Sequence, residues 1–550
     1  MEASRSCLVT INILIGLFVL ISIALNSIIL IIITRGSNQL TNINNTEELK
    51  LVNQISLNLS LIESIDINEL MKHLQEFNHI ATMENGSRSI NTKGFQRTID
   101  YIADYLSTNT NYYIKRTPFP VRQFKLGNNP ILFTSIDNTI INRTYSNDLS
   151  KGEFSHVEYS TDINLKDFIN ITLIPNFGCS EKDWLTAKPS PNGRIALVKH
   201  GACDFFLKPI LARHYHVKGL LLYNISRSSN CNDSLPTSLG PFNTLPTLSI
   251  SPNLAQELIE SLNNSATNTG VRFIIDVLKT EPYSVENICA DTPIGDITQT
   301  IIIGSHSDSI LNGPGINDNG SGSAANLALA VALFRTSMYR NLKYRIRFCW
   351  WGAEELGLIG SFVYVRQAKT SIIIGERFHD HLLYLNLDML ASPNYMFGIY
   401  DLDTIINGTL TKNIFASKKI TTLFRNWFND QNLPWDNVNL TTATSDYLPF
   451  LIGNMPVGGV FSGADRIKTK EQCDRYASYL GPDPYCMPNI AFDQCYHKSC
   501  DTIWNINKFA YEKLTKAVAY ALEYFIHMDN LKEWLYSVEE NQNLTSHYKK

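Results

Sequence analysis

The sequence predicts an α/β protein: a mixed, mostly parallel sheet sandwiched by helices, with an inserted β-rich domain and an N-terminal transmembrane helix. Three observations predict it. From about Tyr283, apolar strand patterns alternate with helical ones (TQTIIIGSHSD, SGSAANLALAVALFRTS, YRIRFCWWGAEELGLIGS, HLLYLNLDML), and that alternation implies a parallel sheet covered on both faces. Between about Ser150 and Thr280, short apolar runs (RIALVKHG, GLLLYN, TLPTLSIS) alternate with polar loops around one helix, FFLKPILARHYH, which reads as a compact insert with its own core. From about Leu8 to Thr34 the chain is nearly all apolar between Arg5 and Arg35, long enough to span a bilayer.

In chain order, residues 1–7 are expected to form a short cytoplasmic tail and 8–34 a signal anchor. A cleaved signal peptide would have a shorter apolar region and a small-residue cleavage site. Residues 35–66 are Asn-rich and polar, suiting a stalk. The main domain begins at 67 with two helical patterns: INELMKHLQEFNHI carries Leu70, Met71, Leu74 and Phe77, and GFQRTIDYIADYLS carries Ile99, Ile102 and Leu106. YYIKRTPFPVRQF follows as strand. The first part of this domain runs to 149, the insert covers 150–280, the second part covers 281–530, and 531–550 form a tail.

A chain of 550 residues exceeds one ordinary core, and 44% apolar against 18% charged residues describes a globular protein. The formal net charge of -4 leaves no basic footprint for nucleic acid. Asn44, Asn58, Asn85, Asn142, Asn170, Asn224, Asn232, Asn263, Asn407, Asn439 and Asn543 head glycosylation sequons, useful only on a surface that meets the secretory machinery. Asn319 also heads one but is expected to be enclosed. Ten cysteines suggest local staples in an oxidising compartment. The expected pairs are Cys495 with Cys500, Cys473 with Cys486 and Cys179 with Cys203; Cys349, inside a strand pattern, is expected to be a buried free thiol, and Cys231 and Cys289 are left open.

Ligands of open α/β sheets sit beyond the carboxyl ends of strands. That rule selects His306 and Asp308 after TIIIG, Glu354 and Glu355 after RIRFCWWGA, and Asp388 after LLYLNL. Asp318 lies in the small-residue loop GPGINDNGSGSA and His497 in the later loop DQCYHKSCD. Alone, His-Ser-Asp is an ordinary turn and Glu-Glu a solvated pair; together they supply the nitrogen and oxygen donors that zinc takes. Trp350 and Trp351 are expected to pack the sheet, His381 to be a capping or surface residue, and His200, His214 and His216 to bind no metal.

HSD, GPGINDNGSGSA, WGAEELGLIGS, NLDML and CYHKSCD, in that order, resemble the dizinc aminopeptidase family of vacuolar aminopeptidase Y and the secreted bacterial leucine-preferring aminopeptidases, over roughly residues 68–530. GRIALVKHGACDFFLKPILARHYHVKGLLLYN resembles a protease-associated domain, and SDYLPFLIGNMPVGGVFSGADRIKT resembles the family's substrate-pocket segment. The resemblance implies a zinc exopeptidase fold with two zinc ions per subunit: His306 and Asp388 on one, Glu355 and His497 on the other, and Asp318 bridging. Asp308 would fix the ring of His306, Glu354 would be the general base activating a water between the ions, and Tyr496 would donate to the oxyanion. Peptides with a free N-terminus, probed first with bulky apolar ends, are the implied partners. The enzyme would be single-pass, with an extracellular or lumenal (vacuolar or lysosomal) catalytic domain, or secreted if the N-terminal segment is cleaved. A carboxypeptidase, with Arg466 or Lys468 holding a substrate carboxylate, and an inactive receptor-like binding protein are the alternatives.

Overall fold

The computed structural model describes residues 60–537 apart from 148, 150, 202–206, 225–238, 241–242, 265–267, 403–410, 441–444 and 482–485. The apolar segment 8–34 and nearly all of the stalk therefore lie outside the described residues. Among the described residues no helix is long and apolar enough to cross a membrane.

One eight-stranded sheet carries the main domain: β1 (Tyr113–Val121), β2 (Tyr283–Asp291), β3 (Asp296–His306), β4 (Tyr344–Trp351), β5 (His381–Leu387), β6 (Gly398–Asp401), β7 (Asp436–Asn439) and β8 (Val457–Phe461). Their order is β1-β2-β4-β3-β5-β8-β6-β7. The central pairings β4/β3, β3/β5 and β5/β8, and the outer β6/β7, are parallel. β1/β2, β2/β4 and β8/β6 are antiparallel, so the sheet is mixed, as expected. Every residue of β4 and of β5 is buried. Since side chains alternate across a strand, both faces of the sheet are covered there, which explains why these strands read as continuous apolar runs.

The helices that matter for the site are α1 (Ile67–Met83), α2 (Lys93–Asn109), α3 (Gly322–Arg335), α4 (Ile359–Thr370), α5 (Thr411–Asp430) and α6 (Lys508–His527). α1 and α2 start where Asp66 and Thr92 accept backbone amides of Asn68 and Phe95, relieving donors that a helix start leaves open. α3 is buried from Gly322 through Leu333, the property of a helix apolar all round. Trp350 and Trp351 are fully buried and pack the sheet as expected, donating their indole hydrogens to Ser323 O and the Tyr384 hydroxyl.

A second, nine-stranded sheet forms the insert. It takes in Leu126–Ile136 and Thr139–Asn142, because the former pairs with Thr269–Val277. The insert therefore starts well before the boundary expected at 150: YYIKRTPFPVRQF ends one sheet, and the next strand opens the other. The insert leaves and rejoins the main sheet at Val121 and Tyr283, which are partners in one ladder.

Two expectations are corrected. Cys349 is not a free thiol: it forms a disulfide with Cys289, its register partner across β2 and β4, with Cα atoms 4.1 Å apart. Such close approach belongs to a non-hydrogen-bonded antiparallel pair, and the pairing of two strands 60 residues apart is what the isolated strand pattern could not show. His381 is not at the surface but 6% exposed, stacked on Tyr364 at the start of β5. Cys473–Cys486 and Cys495–Cys500 are bonded as expected, whereas Cys203 lies outside the described residues.

Candidate metal centre

His306, Asp388 and the Glu354–Glu355 pair converge because each ends a strand or lies in the loop after it, whereas Asp318 comes from the turn before a helix and His497 from the loop closed by Cys495–Cys500. β3 ends on His306, the loop after β4 carries Glu354 and Glu355, and Asp388 follows β5. Asp318 sits in the turn before α3, where Gly315 adopts φ 60 and a Cβ would stand 2.2 Å from the Asp318 carbonyl oxygen. Only glycine fits that position. The Asp318–Asn319 peptide is cis. Asn319 is fully buried, and its side chain donates to Leu387 O while accepting from Gly322 N and Met389 N. Its sequon is enclosed, as expected.

The donor atoms fall into two triads sharing Asp318. His306 Nε2 lies 3.4 Å from Asp318 Oδ1 and 3.4 Å from Asp388 Oδ1. His497 Nε2 lies 3.1 Å from Asp318 Oδ2 and 3.2 Å from Glu355 Oε2. Zinc bonds of about 2.0–2.2 Å arranged tetrahedrally put neighbouring donors roughly 3.3–3.6 Å apart, so the edges of the first triad are zinc-sized and those of the second fall about 0.1–0.2 Å short. Asp318 offers a different oxygen to each, the geometry of a bridging carboxylate. Asp388 Oδ1 and Glu355 Oε1 are buried and accept no hydrogen bond. A buried carboxylate oxygen left bare is costly unless a cation meets it, and this donor set of imidazoles and carboxylates fits zinc.

Burial opposes protonation of His306, but the carboxylates of Glu354, Asp388, Asp308 and Asp318 outweigh it and raise its pKa well above the usual value. Burial would raise Asp318, yet hydrogen bonding to His306 and His497 holds it below the usual carboxylate range. Glu354 is driven well above its usual value, first by burial and then by Asp446, Glu355 and Asp388, with His306 opposing. The centre is thus a concentration of negative charge around two imidazoles, which two dications would neutralise.

Around the ligands lies a set of holding contacts. His306 Nδ1 is 3.1 Å from the carbonyl oxygen of Asp308 and 3.6 Å from its carboxylate, so the backbone of Asp308 orients the ring more closely than its side chain does. The Asp308 carboxylate instead accepts the amides of Glu354 and Glu355 at 3.2 and 3.3 Å. Ser445 donates to Asp388 Oδ2 at 2.6 Å. The ring of Tyr496 stacks on His497, centroids 3.9 Å apart.

Sequence reasoning missed three residues. Arg88, between α1 and α2, is fully buried and donates to Ser307 O, Pro314 O and Gly315 O at 2.7, 2.8 and 2.5 Å. It ties together the loops that carry His306 and Asp318. Burial pulls its pKa down to about 10 against the pull of Asp501 and Asp308. Asp501 accepts the amides of Asn317 and Asp318 at 2.9 and 3.0 Å and is pushed up to about 7 by burial. Asp446, in the pocket segment, is buried, accepts from Ser361, and is likewise pushed up to about 7. Asp501, the last residue of CYHKSCD, and Asp446, in the pocket segment, both lie inside quoted motifs and could have been found; Arg88 could not. Among the described residues the metal-competent groups include none of His200, His214 or His216.

Residues 287–522 match the model of peptidase family M28, and residues 168–258 that of the PA domain. Leucine aminopeptidase 2 of Trichophyton rubrum is 34% identical over 388 residues, 67% of this chain and 72% of that protein. The chain belongs to peptidase family M28. An aminopeptidase of Pseudomonas aeruginosa is similar too, 29% identical over 85% of this chain and 82% of that one. The aminopeptidase from Aneurinibacillus sp. strain AM-1 shares the fold, with a TM-score of 0.54 at 20% identity over 85% of this chain and 95% of that chain. As a member of M28 with aminopeptidase relatives, the protein is a metallo-aminopeptidase.

Proposed function

We propose that this enzyme removes bulky apolar residues from the free N-termini of peptides, working from an extracellular or lumenal face to which residues 8–34 anchor it. The observation that carries the reading is the sharing of Asp318 between the His306/Asp388 and His497/Glu355 triads. His306, Asp388 and Asp318 would hold one zinc, and His497, Glu355 and Asp318 the other. Bound there, the pair supplies Lewis acidity to the scissile carbonyl and lowers the pKa of water.

Glu354 takes the proton of the attacking water and passes it to the leaving amine. Burial and neighbouring carboxylates push its pKa up. Burial and nearby carboxylates also raise the Tyr496 phenol far above its usual pKa, keeping it a protonated donor for the oxyanion. A carboxypeptidase would require a cation facing the cleft. Of the two cations named for that role, Lys468 is 1% exposed, donates to Tyr395 O at 2.6 Å and lies over the Tyr476 ring, so it serves packing, which leaves the exposed Arg466 as the one for the C-terminally free peptides to test.

The apolar preference is supported by relatives named leucine aminopeptidase. The oxidising compartment is supported by three disulfides among the described residues, and anchoring by the length of the apolar segment. The full chain, expressed in a eukaryotic secretory host, is tested on leucine-4-nitroanilide beside N-acetylated and C-terminally free peptides, with and without chelator, and as Glu354→Gln. Hydrolysis confined to the free amine, and lost with chelator and in the variant, is expected. A folded, zinc-loaded enzyme that ignores every free amine sinks the reading.

A further inference from the structure

A cavity of about 600 Å³ opens on the outside of the metal-binding loops, lined by Asn78, Thr82, Asn85, Leu311, Thr502 and Trp504 among others. Trp504 is 92% exposed and Leu311 67%. An indole left in water beside a second large apolar side chain marks a surface that something covers. The backbone beside Trp504 is held, since Asn78 Oδ1 accepts the neighbouring Ile503 amide at 3.0 Å.

Asn85 lines the same cavity, is exposed, and heads the sequon Asn85-Gly86-Ser87. A Cβ built on Gly86 would meet nothing within 4 Å, so the space around the acceptor is open. We propose that Asn85 carries an N-linked glycan whose first N-acetylglucosamine lies in this cavity with its apolar face on the indole of Trp504. A pyranose presents axial C–H groups on its faces and hydroxyl and acetamido groups on its edge. The electron-rich ring face of tryptophan suits the former, and Thr82, Asn78 and Thr502 offer hydrogen-bonding partners to the latter. The cavity size lies in the range of small-ligand sites, roughly 300–1,000 Å³. The covalent tether at Asn85 supplies the occupant at high local concentration, with no free ligand required.

The cavity is also bordered by Pro314 and Ser499. Pro314 precedes the turn carrying Asp318, and Ser499 follows His497 within the loop closed by Cys495–Cys500. The sugar therefore lies against the outer side of the two loops, away from the candidate ligands.

The inference rests on the reading that the chain is translocated, and its test separates the two. The full chain from a eukaryotic secretory host is mapped by glycopeptide mass spectrometry. The folded protein is then treated with peptide N-glycosidase, with release followed site by site. Asn142, in a strand exposed along its whole length, is the internal control. Expected is an occupied Asn85 released about tenfold more slowly than Asn142, the factor that about 1.4 kcal/mol gives. In Trp504→Ala the two rates become equal, while hydrolysis of leucine-4-nitroanilide stays unchanged. An unmodified Asn85 beside a modified Asn142, equal release in the wild type, or protection that survives Trp504→Ala overturns the proposal. Absence of sugar at every sequon overturns the compartment reading and this inference together.

Discussion

Asp501 holds Asp318 by its backbone: Asp501 Oδ2 accepts the Asp318 amide at 3.0 Å, and Oδ1 accepts the preceding amide of Asn317 at 2.9 Å. One carboxylate thus fixes where another points, and Asp318 can turn one oxygen to each triad. Asp318→Asn removes the charge that the two candidate triads share. Elemental analysis should find fewer than two zinc ions per chain and hydrolysis should fall sharply. Glu354→Gln should instead keep both ions and lose activity by roughly 10²–10⁴, the contribution of a general base. Equal metal content in the two variants would separate neither role.

Arg88→Met tests the buried clamp between the ligand loops. The substitution leaves the carbonyls of Ser307, Pro314 and Gly315 without their charged donor. Charge-assisted bonds and stranded acceptors of this kind are worth about 1.5–3 kcal/mol each before relaxation. A lowered midpoint in thermal unfolding, with weaker zinc retention against a competing chelator, is expected. Arg88→Lys should recover only part, because an ammonium lacks the planar fork that reaches three carbonyls.

The Cys289–Cys349 bridge closes a loop of 60 residues, for which chain entropy gives roughly 4 kcal/mol. The Cys289→Ala/Cys349→Ala double variant should unfold at lower denaturant concentration while keeping two zinc ions. Retention of the wild-type midpoint would show that strand pairing alone suffices.

His381 gives a pH dependence remote from the metal ligands. Burial, together with Arg347 and Arg345, lowers its pKa to about 3. The unfolded chain, with an ordinary histidine pKa of about 6.5, therefore binds a proton that the folded chain refuses. Stability falls as pH drops below about 6.5, by about 2 kcal/mol at pH 5, and continues falling toward the folded pKa. His381→Gln should flatten that slope in urea unfolding between pH 7 and 5, and an unchanged slope would contradict the shift.

The convergence of His306, Glu355 and Asp388 was legible in the sequence because strand periodicity fixed where β3, β4 and β5 end, and donors at those ends share one edge of the sheet. Arg88 was not legible. It sits more than 200 residues from the loops it ties, in a segment with no periodicity, and a lone arginine there resembles any solvated one. The Cys289–Cys349 pair and the early start of the insert failed for a related reason: both depend on which strand lies beside which, and an apolar run does not encode its neighbour. Asn319 was read correctly because its environment followed from a motif rather than from pairing.

The pairing of Val121 with Tyr283 places the two ends of the insert side by side at the tip of an antiparallel ladder. Topologically the entire second domain is an enlarged hairpin loop. Loop-closure entropy grows only with the logarithm of length, so the host sheet pays little more to carry a domain there than to carry a long turn. During synthesis, however, β1 emerges well ahead of β2 and must wait for the whole intervening module before its edge is covered. That edge is completed only when residues 122–282 have been made and Tyr283 can reach Val121.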